Sequence, residues 1–323
     1  MPSTRILIQI ASYRDPQLGP TLEDLIAKAA NPQQLRIGIC LQITPDDAAR
    51  CGPASLPQGD ALRGAQLDLD LVDARSSGGV CWARARSQRF LQQEAFTLQI
   101  DSHMRFAKQW DQQLLASWQR CNDPLAVISG YPNAFTLPDY CNTDALPLMA
   151  AHCFDEHGIL RLQGVNTFRY PEQQPAQPLP SAVLAAGMLF GPSALIGAAP
   201  YDPQLYFYGE ELSLTLRLWT RGFNFYNPDR LLIFHLYKQA GAENITHWAD
   251  HANWSERNRL SAQRLQALIH GDGLEPPYGL GTARSLEQWQ QWSGINLHSQ
   301  TLSPEALAGR FTAPPTSAAA AAG

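Results

Sequence analysis

Asp101 and His103 are residues whose types and spacing could do chemistry. They lie two positions apart, directly after the apolar segment formed by residues 96–100. In an extended backbone, side chains two positions apart leave on the same side, so both could bind one cation. Oxygen with imidazole suits Mn²⁺ or a similar first-row ion, whereas Mg²⁺ usually prefers oxygen alone. The alternative is that Asp101 caps a helix beginning near Phe106 and that His103 is a surface residue.

The elements that must position this pair follow from hydrophobic periodicity. Residues 5–12 and 35–42 are short apolar runs that predict buried strands, and residues 21–30 between them have helical spacing. Strand, helix and strand in this order form a βαβ unit, whose parallel strands place ligands beyond their carboxyl ends. We therefore predict an α/β fold with a mixed, mostly parallel sheet flanked by helices.

The rest of the chain divides into further periodic segments and one long aperiodic stretch. Helices are predicted at 80–93, 110–120 and 210–221, and strands at 96–100, 125–129 and 231–234, with an ordered segment at 182–190. Residues 133–180 are rich in Pro and Gln and predict a long irregular insert, which in a compact domain is usually functional or mobile. We predict one domain over residues 1–302 with a C-terminal helical extension, and a disordered low-complexity tail over 303–323.

Composition excludes several classes of function. The net charge of −5 gives no basic surface for nucleic acid or an anionic bilayer. The chain contains no run of 18 apolar residues and begins without an apolar leader, so we expect a soluble, cytoplasmic protein with no membrane span. Its 6 cysteines are scattered singly, which favours free thiols over disulfides or a zinc ribbon.

Two segments around the Asp101 and His103 pair carry a family resemblance. They read GGVCWARAR at 78–86 and EAFTLQIDSHMRF at 94–106. Together they resemble the donor-site core of GT-A glycosyltransferases that bind a metal through a D-x-H motif. Two groups are similar: the polypeptide GalNAc-transferases and, more closely, the cytoplasmic GlcNAc-transferase family that modifies hydroxyproline on a ubiquitin-ligase adaptor, with its bacterial relatives. The closer resemblance covers roughly residues 5–300 and also includes IASYRDP at 10–16, FYGEE at 207–211, RLWTRG at 217–222 and YGLG at 278–281.

This resemblance implies a GT-A-like (Rossmann-like) fold and a metal-dependent, retaining transfer of GlcNAc or GalNAc from a UDP-sugar to a hydroxyl. The resemblance implies that Asp101, His103 and His235 are the ligands of Mn²⁺ (or Mg²⁺). As a ligand of the metal, Asp101 is also one of the two catalytic residues that the resemblance implies. The acceptor would be hydroxyproline, another protein hydroxyl, a glycan or a small molecule. The alternative is a non-catalytic nucleotide-sugar-binding module of the same fold.

The resemblance also implies a donor site. Its residues are Ser12, Tyr13, Arg14 and Asp15 around the uridine, Arg84 facing the nucleotide, and Gly187, whose missing side chain lets the sugar approach the backbone. Arg84 and Arg86 lie two positions apart on a predicted helix, so both cannot point inward.

Glu210 is the second catalytic residue implied by the resemblance, as a carboxylate that orients a sugar or acceptor hydroxyl. By itself, an acidic residue in a first helical turn is favoured in any protein by the helix dipole. Glu211 points about 100° away around the helix, so we expect it not to share this role. His247 and His251 have a metal-compatible helical spacing, but the sequence lacks the Glu of a zinc protease, which favours a surface pair.

Overall fold

The computed structural model describes residues 4–237, 245–271, 274 and 276–315. Its strands are β1 (Ile6–Tyr13), β2 (Leu35–Ile43), β3 (Gln66–Asp73), β4 (Phe96–Ile100), β5 (Met104–Phe106), β6 (Ala126–Ser129), β7 (Asn133–Thr136), β8 (Tyr140–Cys141), β9 (Ala145–Phe154), β10 (Leu160–Arg169), β11 (Leu179–Ser181), β12 (Met188–Pro192), β13 (Asn224–Asn227), β14 (Ile233–His235), β15 (Ile295–Asn296) and β16 (Thr301–Leu302). Its α-helices are α1 (Leu18–Lys28), α2 (Ala48–Cys51), α3 (Val80–Ser87), α4 (Trp110–Arg120), α5 (Ala194–Ala198), α6 (Glu210–Trp219), α7 (His247–Asp250), α8 (Trp254–His270), α9 (Leu286–Ser293) and α10 (Pro304–Ala308).

A large sheet forms the centre of the fold, with the strand order β11-β13-β6-β12-β4-β1-β2-β3 in the described residues. β4, β1, β2 and β3 run parallel, as do β6 and β13, whereas β12 lies antiparallel between β4 and β6. β1 is mostly apolar and almost wholly buried because both of its faces are covered. Ile8 packs in the core with α1 and α4, and Leu7 packs in the core on the opposite face, which includes Cys81 of α3. The predicted mixed, mostly parallel sheet flanked by helices is confirmed.

A second sheet, of order β5-β14-β7-β8, sits beyond the carboxyl end of β4. β14 pairs antiparallel with β5, which aligns His235 with Met104, and pairs parallel with β7. Residues 104–106 are therefore a strand, and the alternative in which Asp101 caps a helix near Phe106 is wrong. This pairing carries the end of β14 back to the segment that follows β4.

The expectation of a long irregular insert at 133–180 is wrong. This stretch contains β7, β8 and β11 as well as the long antiparallel hairpin β9–β10, which turns at Gly158 with φ of +68°. The hairpin pairing shifts register between Arg161 and Leu162 and again between Asn166 and Phe168. Each irregularity changes which residues face the core, so simple alternation is lost from the sequence.

The C-terminal part packs helices α8 and α9 against the core through Leu265, Leu268 and Trp289. A disordered tail is predicted from residue 303, whereas the structure has the helix α10 there, with Ser303 as its N-cap. Ala306 of α10 is fully buried, which ties this short helix to the core. The end of the predicted tail, 316–323, lies outside the described residues. In the part of the chain that is described, no helix combines the length and apolar character needed to cross a bilayer.

Candidate active site

A cavity of about 550 Å³ opens at the carboxyl ends of β1 and β4. Its wall also includes the start of α3, the end of β14, the start of α6, the start of β10 and residues 245–248. Parallel strands leave such a crevice where their carboxyl ends diverge, and this is the position at which the βαβ pattern predicts ligands.

Asp101, His103 and His235 converge in this cavity. Each offers one ligand atom, and these atoms all lie within 4.8 Å of one another. His103 Nε2 is 3.1 Å from His235 Nε2, which is 3.2 Å from Asp101 Oδ2. His103 and His235 are 132 positions apart in the chain. The structure thus brings the three predicted metal ligands together.

Asp15 is the hydrogen-bonding partner of His103. Asp15 Oδ2 accepts hydrogen bonds from His103 Nδ1 at 2.6 Å and from Ser102 Oγ at 2.5 Å. Burial raises the pKa of Asp15, but the bonds from His103 and Ser102 outweigh it and lower that pKa overall. A carboxylate on Nδ1 fixes the imidazole so that Nε2 is presented to the cavity, as in metal-binding histidines. The resemblance implied nucleotide contact for Asp15, whereas the structure pairs it with His103.

Arg84 lies buried between two carboxylates. It donates to Glu210 Oε2 at 2.8 Å through Nη1 and to Asp101 Oδ1 at 3.1 Å through Nη2. Burial raises the pKa of Asp101, but the hydrogen bond to His235 and the charge of Arg84 outweigh this effect and hold that pKa at about 2. Arg86, two positions later, points to the opposite side and pairs with Asp70 at 2.5 and 2.7 Å. The prediction that only one of the two arginines faces inward is therefore confirmed.

Glu210 and Glu211 both lie in the cavity wall, so the 100° between them around α6 does not take Glu211 out of the site. Glu211 Oε1 accepts from the backbone N–H of Ala186 at 2.9 Å, and Tyr131 Oη donates to the same carboxylate at 3.0 Å. Burial raises the pKa of Glu211 to about 7. The two carboxylates share the wall because the first turn of α6 faces the cavity, where Glu210 is buried and Glu211 is half-buried.

The other residues predicted for the uridine differ in their exposure to the cavity. Tyr13 and Arg14 line the wall, whereas Ser12 lies beneath it and is fully buried. Arg14 has a left-handed φ of +51°, and its guanidinium bonds Asp47 Oδ2 at 2.7 Å and Asp250 Oδ2 at 2.8 Å. The ion pair with Asp250 joins the end of β1 to α7, and the ion pair with Asp47 joins it to the start of α2.

His247 lines the cavity and His251 is buried behind it, so the two are not the surface pair that spacing favours. The two rings stack with centroids 3.9 Å apart, and the ring of Tyr13 lies 4.8 Å from that of His247. His247 also lies within hydrogen-bonding distance of Tyr206 Oη at 2.6 Å and Ser77 Oγ at 2.8 Å. Sequence reasoning missed this cluster because its partners come from three distant segments.

Two aromatic side chains at the cavity were also missed. Phe207 and Trp248 remain 46% and 45% exposed while lining it, with ring centroids 5.6 Å apart. Large exposed aromatic rings beside a polar site are typical of ligand-binding surfaces. For Phe207 the available signal was the segment FYGEE at 207–211, which carries part of the family resemblance.

Gly187 lies beside Asp101. A Cβ added to Gly187 would sit 3.5 Å from Asp101 Oδ2 and 3.6 Å from Pro132 Cδ, which are ordinary contact distances. A side chain here would therefore project into the space next to the carboxylate that faces His235. This placement is compatible with the role that the resemblance gives to Gly187.

The donor set of the cluster fits a first-row divalent cation. Two imidazole Nε2 atoms and one carboxylate oxygen converge, and nitrogen with oxygen ligands suits Mn²⁺ better than Mg²⁺. The Asp15 hydrogen bond to His103 supplies the orienting contact that such ligands usually have.

Comparison with known proteins agrees with this architecture. The family model described as glycosyltransferase (GlcNAc) matches residues 5–58 and 50–299. No match is found among curated protein sequences.

Among solved structures, the chain is similar to GalNAc-T7 with UDP, GalNAc and Mn²⁺, at 12% identity and a TM-score of 0.57. The alignment covers 89% of this chain and 54% of that one, so the chain spans about half the length of that structure. TarS 1–349 from S. aureus in complex with UDP-GlcNAc is 11% identical, with a TM-score of 0.43 over 90% of this chain and 79% of that one. The similarity to GalNAc-T7 shows the fold, and the predicted GT-A fold is confirmed.

Proposed function

The chain belongs to the GlcNAc glycosyltransferase family, and from this premise we propose that it transfers GlcNAc or GalNAc from a UDP-sugar to a hydroxyl. The observation that carries the proposal is the convergence of Asp101, His103 and His235 at the carboxyl end of β4. GalNAc-T7, which shares this fold, is described in complex with UDP, GalNAc and Mn²⁺. That complex supports the choice of a UDP-sugar as the donor.

We propose that Asp101, His103 and His235 hold Mn²⁺. When bound, the ion would act as a Lewis acid for the negative charge that develops on the leaving diphosphate. His103 is kept in the binding orientation by Asp15, and Asp101 is kept ionised by His235 and Arg84. These contacts would preorganise the site before the donor arrives.

The remaining residues of the wall are assigned by position. Tyr13 and Arg14 at the end of β1 form the side proposed for the uridine, and Gly187 leaves the space for the sugar. The acidic wall of Glu210 and Glu211 would orient hydroxyl groups of the sugar or the acceptor. The start of β10 lines the cavity as well, so the hairpin is the element proposed to contact the acceptor.

We propose that the transfer retains the configuration of the sugar. The bond from the anomeric carbon to the diphosphate breaks, the acceptor oxygen bonds to the same face, and its proton passes to the departing phosphate oxygen. Because the phosphate oxygen takes the proton, neither Glu210 nor Asp101 has to accept it. Glu210 therefore stays paired with Arg84, and Asp101 stays in contact with Arg84 and His235.

The test compares wild type with Asp101→Ala in metal-dependent hydrolysis of UDP-GlcNAc and in calorimetry with UDP- and GDP-sugars. We expect slow hydrolysis by the wild type with Mn²⁺, none by the variant, and tighter binding of UDP-GlcNAc or UDP-GalNAc than of GDP-mannose. Binding without hydrolysis or transfer to any acceptor would favour the alternative, a non-catalytic nucleotide-sugar-binding module. Equal affinity for UDP- and GDP-sugars would contradict the assignment of the donor.

A second screen addresses the acceptor. It compares a hydroxyproline peptide with serine and threonine peptides, glycans and small-molecule alcohols, using UDP-GlcNAc and Mn²⁺. Transfer to the hydroxyproline peptide above the others would place the chain in the hydroxyproline-directed subfamily, and preference for another class would exclude it from that subfamily.

A further inference from the structure

We infer that Glu210 acts through Arg84 as a positioning residue for Asp101, so that Glu210 and Arg84 together set the affinity of the Asp101, His103 and His235 cluster for a divalent cation. The inference rests on the proposed function, because it concerns the metal site proposed there. It also gives Arg84 a role different from the nucleotide contact that the resemblance implied.

The hydrogen bonds of Arg84 are made within the protein. Its side chain is 5% exposed. Nη1 lies 2.8 Å from Glu210 Oε2 and 3.4 Å from Tyr201 Oη, and Nη2 lies 3.1 Å from Asp101 Oδ1 and 3.2 Å from Ala186 O. Each terminal nitrogen therefore has two protein acceptors, and the guanidinium bridges two carboxylates.

This bridge decides which oxygen of Asp101 faces the cluster. Arg84 donates a hydrogen bond to Asp101 Oδ1, while Asp101 Oδ2 lies 3.2 Å from His235 Nε2 and faces the space beside Gly187. A planar guanidinium with fixed donor directions restrains rotation of the carboxylate, which a flexible ammonium does not. Arg84 thus presents Oδ2 as the ligand atom.

Glu210 controls how strongly Arg84 acts on Asp101. The charge of Arg84 is shared between the two carboxylates, so the three side chains together carry a net charge of −1 when all are ionised. With Gln at position 210, the full guanidinium charge acts on Asp101 and the net charge of the group becomes zero. A divalent cation would then meet a weaker local field and a carboxylate more tightly held by Arg84.

A further contact joins the two helices that carry the bridge. Glu210 begins α6 after Gly209, whose φ is +79°, and Cys81 of α3 lies one turn before Arg84 with its Sγ 3.3 Å from Glu210 Oε2. The positioning contact therefore joins α3 to α6 across the base of the cavity.

The experiment measures Mn²⁺ affinity without a donor, from the electron paramagnetic resonance signal of free Mn²⁺. It uses wild type, Glu210→Gln, Arg84→Lys and the double variant. Residues that orient metal ligands change affinity by about 10–100-fold. We expect each single variant to weaken binding by at least about 10-fold, and the double variant to lose much less than the product of the two effects.

Arg86→Lys is the matched control, because Arg86 lies on the same helix and pairs with Asp70 away from the cavity. Its Mn²⁺ affinity should equal that of wild type. If Arg84→Lys does not fold, Glu210→Gln decides the question alone, since Gln keeps the size and one acceptor oxygen of Glu210.

The outcomes separate this inference from the proposed function. Absence of Mn²⁺ binding by the folded wild type would overturn the proposed metal site and the inference with it. Wild-type binding with unchanged affinity in Glu210→Gln, accompanied only by a raised donor KM, would overturn the inference alone. Fully multiplicative effects in the double variant would show that Glu210 and Arg84 act independently, which also contradicts it.

Discussion

Replacing His247 with Gln should remove a pH-dependent contribution to stability. His247 lies between Tyr206 Oη and Ser77 Oγ and stacks on His251. Burial lowers the pKa of His247 from the ordinary 6.5 to about 4, and the nearby His251 and Arg257 act in the same direction. The ring is therefore neutral in the native protein at pH values where it would bind a proton in the unfolded chain.

The sign and size follow from this difference in proton binding. Between the two pKa values the unfolded state binds more protons, so the contribution is complete above pH 6.5 and is lost as the pH falls towards 4. A shift of about 2.5 units at 1.36 kcal/mol each sets an upper limit of about 3.4 kcal/mol. Because the ring is partly exposed, solvent screening reduces this figure, and we expect about 1–2 kcal/mol.

The assay is urea unfolding at about pH 7.5 and about pH 5. His152→Gln is the control, since His152 is an exposed histidine on β9. Apart from His247 and His152, the titrating groups are common to all three proteins, so their contributions cancel in the comparison. On going to the lower pH, wild type and His152→Gln should lose about 1–2 kcal/mol more stability than His247→Gln. Parallel losses in wild type and His247→Gln would refute the reasoning.

Three further outcomes are expected. Asp101→Asn should lower turnover on the order of 100-fold or more, with Tm changed by no more than about 3 °C in a thermal melt, because Arg84 keeps Glu210 as a partner; near-normal turnover would contradict the metal role. Gly187→Ala should raise the donor KM about tenfold or more without loss of Tm, while Gly197→Ala should leave KM unchanged, because a Cβ at Gly197 meets no described atom within 4 Å. Equal KM values in both variants would contradict the proposal that Gly187 leaves room for the sugar. Glu211→Gln should be more stable than wild type by about 1–2 kcal/mol at about pH 8.5 in urea unfolding and gain nothing at about pH 4. Burial raises the pKa of Glu211 from the ordinary 4.5 to about 7, so the unfolded chain releases its proton first and the wild type loses stability as the pH rises from about 4.5 to about 7; a gain independent of pH would contradict this cause.

Local periodicity was sufficient to predict the strands and helices that lie around Asp101 and His103. The apolar runs of β1, β2 and β4 and the helical spacing of α1 and α4 are local properties, and the structure places these elements close to the predicted bounds. The spacing of Asp101 and His103 likewise predicts two side chains on one side of the backbone, and both face the same cluster. Helical geometry also predicted that Arg84 and Arg86 point to different sides.

Irregular pairing hid other elements from the sequence. In β9–β10, shifts of register interrupt the alternation of buried and exposed residues, so the hairpin does not show a period of two. In α6, Glu211 lines the cavity although it lies 100° from Glu210, because the surroundings of the helix decide what each side contacts.

Only the tertiary structure decided how the site is assembled. His235 reaches His103 because β14 pairs with β5, and that pairing depends on packing between segments far apart in the chain. The same holds for the bond from His103 to Asp15 and for the bridge from Arg84 to Glu210. Sequence patterns fix which side of its own element a residue occupies, whereas distances between elements depend on strand register and core packing, to which every segment contributes.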